Sequence, residues 1–85
     1  MGTKRNRDEG NAMVNQENWL ISKLMQGLNA PNKETRKNSV GALRLHGKIA
    51  TIAIPAITQL LYHEADPLVK SEARRALRSL QQHVA

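Results

Sequence analysis

Basic side chains recur every four residues along the stretch VKSEARRALRSL, residues 69–80. Lys70, Arg74 and Arg78 form this row, and Arg75 lies farther round the helix. Because an α-helix turns about 100° per residue, side chains four positions apart share one face. Ammonium and guanidinium groups on such a face can bind carboxylates or phosphates. The spacing indicates a surface for an acidic partner, with the solvated side of a structural helix as the alternative.

Apolar residues repeat with the period of a helix along the chain and predict four helices. The first is expected over 16–28 and the second over 33–46. The third is expected to begin near Thr51 or Ile52, and the fourth to run from Pro67 to about residue 83. No stretch has the alternation of a strand, so the expected fold class is all-α.

Residues with special backbone preferences set the expected helix ends. Pro55 and Pro67 fit the first turn of a helix, and Asp66 is placed to cap the fourth. Gly47 follows the second helix as a usual stop signal. Gly41, inside that helix, costs about 1 kcal/mol relative to alanine, and we interpret it as a close helix–helix contact.

The composition agrees with one small helical domain. Of the 85 residues, 40% are hydrophobic and 2% aromatic, so the core must be built from aliphatic side chains. Residues 1–13 have almost nothing to bury and are predicted to form a disordered basic tail, which leaves 14–85 as the folded domain. The net charge of +6 favours acidic partners.

The second and fourth helices match each other at an offset of 34 residues. Arg36 corresponds to Lys70, Arg44 to Arg78, and the tripeptide ALR occurs in both helices. The first and third helices match at an offset of 36. The chain therefore contains an internal repeat of a helical hairpin, with repeat one at about 16–48 and repeat two at about 51–84.

The segments TRKNSVGALRLHG and VKSEARRALRSL resemble the second helix of HEAT repeats, and AIPAITQLLYHEADPLVK resembles the preceding helix and turn. The closest variety is the short bacterial repeat of phycobilisome lyase subunits. The resemblance implies two hairpins stacked as a short α-solenoid, with the second helix of each hairpin lining the concave face. Such families often have Asp six residues before the Arg, where the two pair along the solenoid. Here Ala30 and Glu64 occupy those positions.

Two repeats are fewer than the three or so that a solenoid normally needs for a stable core. The chain is expected either to pair with itself through its repeat ends, to dock onto a partner, or to close into a compact four-helix bundle. A homodimer is therefore one expected assembly.

Placed on the concave face that the resemblance implies, the basic side chains of both repeats form one cationic patch. Its expected members are Arg36, Lys37, Arg44, Lys48, Lys70, Arg74 and Arg78. As alternatives, the charge run is the solvated face of the helices, and Arg36 or Lys70 serves the internal pairing that the resemblance implies. The predicted function is a noncatalytic protein–protein interaction module, an adaptor that binds an acidic protein through this face or through an uncapped repeat end. Nucleic acid is the alternative partner, although no aromatic side chain is interleaved for base stacking. An accessory role in a phycobilisome-lyase-like activity is the third alternative.

The sequence lacks the constellations that support catalysis or cofactor binding. No Gly-rich phosphate loop, nucleophile elbow or His-x-x-x-His spacing occurs, so no enzyme activity, cofactor or metal is expected. The absence of cysteine fits a cytoplasmic protein, and no membrane partner is predicted. Trp19 and Tyr62 are interpreted as core-edge residues, with Trp19 as the candidate hydrophobic anchor if it is exposed.

Overall fold

The computed structural model describes residues 17–84, in which helices joined by short turns form all of the regular secondary structure. Three α-helices lie wholly within this range, and a helical segment precedes them. The elements are α1 (17–27), α2 (Lys33–His46), a 3₁₀ helix (Gly47–Ala53), α3 (Ile54–His63) and α4 (Pro67–Gln81). No strand occurs among the described residues, and the prediction of an all-helical fold is confirmed. The tail predicted at 1–13 lies outside them.

Local capping fixes both ends of α2 where the sequence predicted them. The side chain of Asn32 accepts hydrogen bonds from the backbone N–H groups of Glu34 and Thr35, at 2.7 and 3.3 Å. Gly47 follows the helix with φ +63°, a left-handed conformation that favours glycine. These caps satisfy backbone groups that the helix itself leaves without partners.

The start of α3 differs from the prediction. It begins at Ile54 rather than near Thr51 or Ile52, although Pro55 lies in the first turn as expected. The 3₁₀ helix occupies the intervening residues, and its Ala50 and Ala53 are both fully buried. Side chains three residues apart are eclipsed in a 3₁₀ helix, so the two alanines lie on the same side of the segment, against the core.

The start of α4 is capped as predicted. Asp66 accepts hydrogen bonds from the N–H groups of Leu68 and Val69 at 3.1 and 3.0 Å, and Pro67 occupies the first turn. The helix ends at Gln81, two residues before its predicted end. Val84, which the helical wheel places in the apolar arc of α4, is 56% exposed because it lies beyond the helix end.

The core is aliphatic and lies where α2 and α3 pack against α4. α4 contributes a narrow stripe of small and branched side chains that repeats at helical spacing. The buried residues of this stripe are Val69, Ala73, Ala76 and Leu80. On α2, Val40 and Leu43 are fully buried. Small side chains on α4 permit close approach of α2. The contact of α4 with α2 is more extensive than its contact with α3 or with the 3₁₀ helix.

The closest backbone approach at a helical glycine occurs at Gly27 and not at Gly41. A Cβ atom on Gly27 would overlap Ser39 Oγ and would lie 3.0 Å from Ser39 Cβ, so α1 packs tightly on α2 at this point. A Cβ atom on Gly41 would lie 3.9 Å from the carboxyl group of Glu72, an ordinary contact. The interpretation of Gly41 as a close helix–helix contact is therefore wrong.

By length and composition alone, the stretch Lys33–His63 is long and apolar enough to cross a membrane, with a mean hydropathy of 1.2 in its most apolar window. It is not one straight α-helix, because α2 ends at His46 and a 3₁₀ helix follows. Several of its apolar side chains also belong to the core described above. The length and composition of this stretch are therefore only weak evidence for a membrane-spanning helix.

Candidate functional site

Arg36 holds together the two turns that precede α2 and α4. Its Nε and Nη2 groups donate to the two carboxylate oxygens of Glu64 at 2.7 and 2.9 Å, a bidentate ion pair. Its Nη1 group donates to the carbonyl oxygens of Ala30 and Pro31, each at 2.9 Å. The planar guanidinium group suits this fork of contacts, which a lysine could not reproduce. Arg36 therefore has a structural task within the chain.

The environment of Glu64 strengthens this pair. The Glu64 side chain is only 2% exposed, and it also accepts a hydrogen bond from the N–H group of Asp66 at 3.0 Å. The hydrogen bond from Arg36, assisted by that backbone donor, lowers the pKa of Glu64 below its ordinary value even though burial opposes ionisation. The same hydrogen bond raises the pKa of Arg36. Both groups thus stay charged and mutually satisfied.

A second ion pair joins α2 to α4. Arg44 Nε donates to Glu72 Oε2 at 3.0 Å, and both side chains are partly shielded from solvent. Arg36 and Arg44 each reach an acidic residue 28 positions further along the chain. Both arginines were predicted to bind a partner, and the structure instead places their charged groups on carboxylates of the same chain.

The other predicted cations remain available at the surface. Arg74 and Arg78 are exposed, and Lys70 is half-buried. Among residues 17–84, none of these three side chains forms an ion pair within 4.0 Å. The predicted patch therefore divides into a neutralised part on α2 and an uncompensated part on α4.

The outer predicted lysines, Lys37 and Lys48, differ from the α4 cations in position. Lys37 is half-buried on α2, and Lys48 is exposed in the 3₁₀ helix. Neither has an ion-pair partner in the described part of the chain. They extend the positive surface away from α4 but do not belong to its row.

We define the α4 basic edge as Lys70, Arg74, Arg75 and Arg78. Arg75 is exposed beside Arg74 and joins this surface, although the predicted patch omitted it. Four cations within nine residues of one helix repel one another, so an acidic partner would relieve that repulsion as well as gain ion pairs. The guanidinium and ammonium groups of the edge can recognise carboxylates or phosphates.

Of the two acidic partners that neutralise α2, the sequence patterns pointed to one. Glu64 occupies a position that the resemblance associates with pairing along the solenoid, but its distance of six residues from Lys70 did not specify Arg36 as its partner. Glu72 has no special place in that pattern. The common separation of 28 residues between Arg36 and Glu64 and between Arg44 and Glu72 was a usable signal, because two equal separations between opposite charges indicate a repeated contact.

A separate groove of about 570 Å³ lies between α1 and the segment formed by the 3₁₀ helix and the start of α3. Its apolar lining comes from Ile21, Met25, Ile49, Ile52 and Ala56, and its other lining side chains are uncharged. None of the α4 cations lines it. The groove offers shape and apolar surface but supplies no titratable group for catalysis.

The two aromatic side chains are both exposed. Trp19 is 61% exposed, with the Lys23 ammonium group 5.5 Å from its ring centroid, and Tyr62 is 79% exposed. Their interpretation as core-edge residues is wrong, because Leu, Ile, Val and Ala side chains fill the core without them. Trp19 therefore has the exposure that a hydrophobic anchor requires, but it lies on α1, away from the α4 basic edge.

Within 17–84 no group of three or more His, Asp or Glu side chains is arranged to hold a metal ion. Comparison of the whole chain with protein-family models, with curated proteins and with solved structures finds no match.

Proposed function

We propose that the chain is a noncatalytic protein-binding module, an adaptor that recognises an acidic protein through the α4 basic edge. In this proposal the four helical segments form two stacked hairpins of a short HEAT-like α-solenoid in the cytoplasm. One observation supports the proposal: Arg36 and Arg44 are neutralised on α2, whereas their equivalents on α4 have no ion-pair partner among residues 17–84. Arg44 pairs with Glu72, whereas Arg78, its counterpart 34 residues later, has no carboxylate within ion-pair distance among residues 17–84.

The alternative is that all basic residues form a solvated face. It does not explain why the cations are paired on α2 and unpaired on α4 within the described residues. Cations placed only for solubility have no reason to be paired at one repeat and clustered without counter-charges at the next. Clustering also lowers the stability of the helix that carries it, by a few tenths of a kcal/mol for each like-charged pair four residues apart. A cluster of cations that destabilises its own helix is therefore a candidate for a functional surface.

Nucleic acid fits the edge less well than an acidic protein. Phosphate groups would accept hydrogen bonds from the same guanidinium groups, but single-strand binding normally adds aromatic platforms beside the cations. The exposed aromatics, Trp19 and Tyr62, lie on α1 and α3 rather than on α4. A lyase-accessory role would use the groove instead, and the uncharged lining of the groove gives that role no chemistry of its own.

Affinity capture from nuclease-treated native cell extract tests the proposal. The immobilised wild-type chain should retain one or more acidic proteins, and Arg74→Glu should lose at least nine-tenths of them. Lys23→Glu makes the same change of charge on α1 and serves as the matched control, so it should retain them. Equal loss in both variants would indicate nonspecific attraction. Capture of protein from untreated extract but not from nuclease-treated extract would indicate a nucleic-acid partner.

A further inference from the structure

We propose that the α4 basic edge docks an acidic α-helix of another protein in the way that α2 docks repeat two of this chain. The partner would supply the two carboxylates that Glu64 and Glu72 supply internally. This inference rests on the proposed function and specifies the partner's chemistry and layout. In the internal repeat, the α2 copy of this surface pairs with carboxylates of the same chain, whereas the α4 copy has no carboxylate within ion-pair distance among residues 17–84.

The occupied copy is the face of α2 that meets repeat two. Arg36 and Arg44 donate to carboxylates of repeat two, and Val40 between them is fully buried. At the repeat offset of 34 residues, these three positions correspond to Lys70, Arg74 and Arg78. The two outer positions are basic in both copies. The α4 basic edge is therefore the sequence counterpart of a surface on α2 that already pairs with two carboxylates, Glu64 and Glu72.

The central position distinguishes the two copies. Val40 is apolar and buried, whereas its counterpart Arg74 is charged and exposed. A purely apolar helix packed over Arg74 would leave a buried charge without a partner, which is strongly unfavourable. A helix with carboxylates opposite the edge satisfies that charge. Arg74 thus selects against apolar partners and in favour of acidic ones.

The internal contact also gives the spacing of the partner's acids. Glu64 lies in the turn before α4, and Glu72 lies in the second turn of that helix, eight residues later. A fitting partner has one carboxylate just before a helix and a second at the same spacing. On the basic side, two residues eight positions apart on one helix are separated by about 12 Å along its axis, which sets the distance that the partner's two carboxylates must span.

A second copy of this chain lacks these acids. The positions equivalent to Glu64 and Glu72 in repeat one are Ala30 and Asn38. Head-to-tail stacking of identical chains would therefore leave the α4 cations without carboxylates opposite them. The inferred occupant is thus a different, acidic protein, and the expected homodimer through this repeat end is disfavoured.

The missing acids can be added to the chain itself as a defined probe. In sedimentation velocity the Ala30→Glu/Asn38→Glu variant should self-associate with increasing concentration, while the wild type and the matched Ala30→Gln/Asn38→Gln control do not. Adding Arg74→Glu and Arg78→Glu to the acidic variant should return it to the wild-type sedimentation coefficient. Thermal melting confirms that each variant is folded. If the double variant fails to fold, the single variant Asn38→Glu replaces it, because position 38 is exposed. This variant should still self-associate with increasing concentration, although more weakly than expected for two added carboxylates.

Three results would overturn the inference. The folded acidic variants could sediment like the glutamine control, association could persist after the α4 charges are reversed, or a duplex oligonucleotide could bind the wild type more tightly than the acidic variant binds itself. The capture experiment uses only the wild type, Arg74→Glu and Lys23→Glu. Its outcome is therefore independent of the sedimentation experiment, and the two proposals can fail separately. Capture of acidic proteins with no association of the acidic variant would reject the docking geometry and keep the proposed function.

Discussion

Arg44 and Arg78 are equivalent positions of the repeat with different tasks, and replacing each by glutamine separates those tasks. Arg44→Gln removes the hydrogen-bonded ion pair with Glu72, whose donor and acceptor are 3.0 Å apart and partly shielded. A pair of this kind contributes about 1 kcal/mol to the free energy of unfolding. For a domain of this size, that loss lowers Tm by roughly 4–8 °C. Arg78→Gln removes a cation without an ion-pair partner in the described chain and should change stability by less than about 0.5 kcal/mol.

Thermal and urea unfolding followed by circular dichroism measure both variants under the same conditions. A double-mutant cycle with Glu72→Gln isolates the interaction, because the Arg44→Gln effect should shrink once Glu72 has lost its charge. The effect of Arg78→Gln should be the same with either residue at position 72. Equal Tm values for Arg44→Gln and Arg78→Gln, or a cycle with no coupling energy, would refute the division of the basic residues into structural and exposed groups.

Three further predictions concern packing and pH. Gly27→Ala should lower the free energy of unfolding by about 1–3 kcal/mol because its Cβ atom meets Ser39, and the loss should be smaller when Ser39 is also alanine. Gly41→Ala, where the added Cβ atom makes only ordinary contacts, should raise the free energy of unfolding by up to about 1 kcal/mol, measured by urea unfolding. The pKa of Glu64 is lowered in the folded chain, so its stabilising contribution is present above its ordinary value of 4.5 and is lost as pH falls through the native value. Glu64→Gln should therefore lower Tm at neutral pH and approach the wild-type Tm at low pH, and a constant difference across that range would contradict the role assigned to the ion pair with Arg36.

Local rules correctly predicted both ends of α2 and the start of α4. Asn32, Gly47, Asp66 and Pro67 act through backbone groups only a few residues away, so their effects can be predicted from short stretches of sequence. The start of α3 could not be predicted in this way. It depends on the 3₁₀ helix that precedes it, whose alanines face the core, and burial is a tertiary property.

The candidate site was predicted in part for the same reason. A helical wheel identified the row of cations on α4, because that row belongs to one helix. It could not show that Arg36 and Arg44 are neutralised, because their partners lie 28 residues away on another repeat. Likewise, glycine spacing could not separate Gly27 from Gly41, since only the packing of α1 on α2 distinguishes them.

The central claim is that Arg74 and Arg78 meet an acidic partner while Arg36 and Arg44 remain engaged within the chain. Side-chain NMR of the arginine Nε–Hε groups, during titration with a poly-glutamate peptide at moderate salt, tests this most directly. The Arg74 and Arg78 resonances should shift as the peptide is added, and those of Arg36 and Arg44 should remain unchanged. Equal shifts at all four arginines, or shifts confined to Arg36 and Arg44, would contradict the claim.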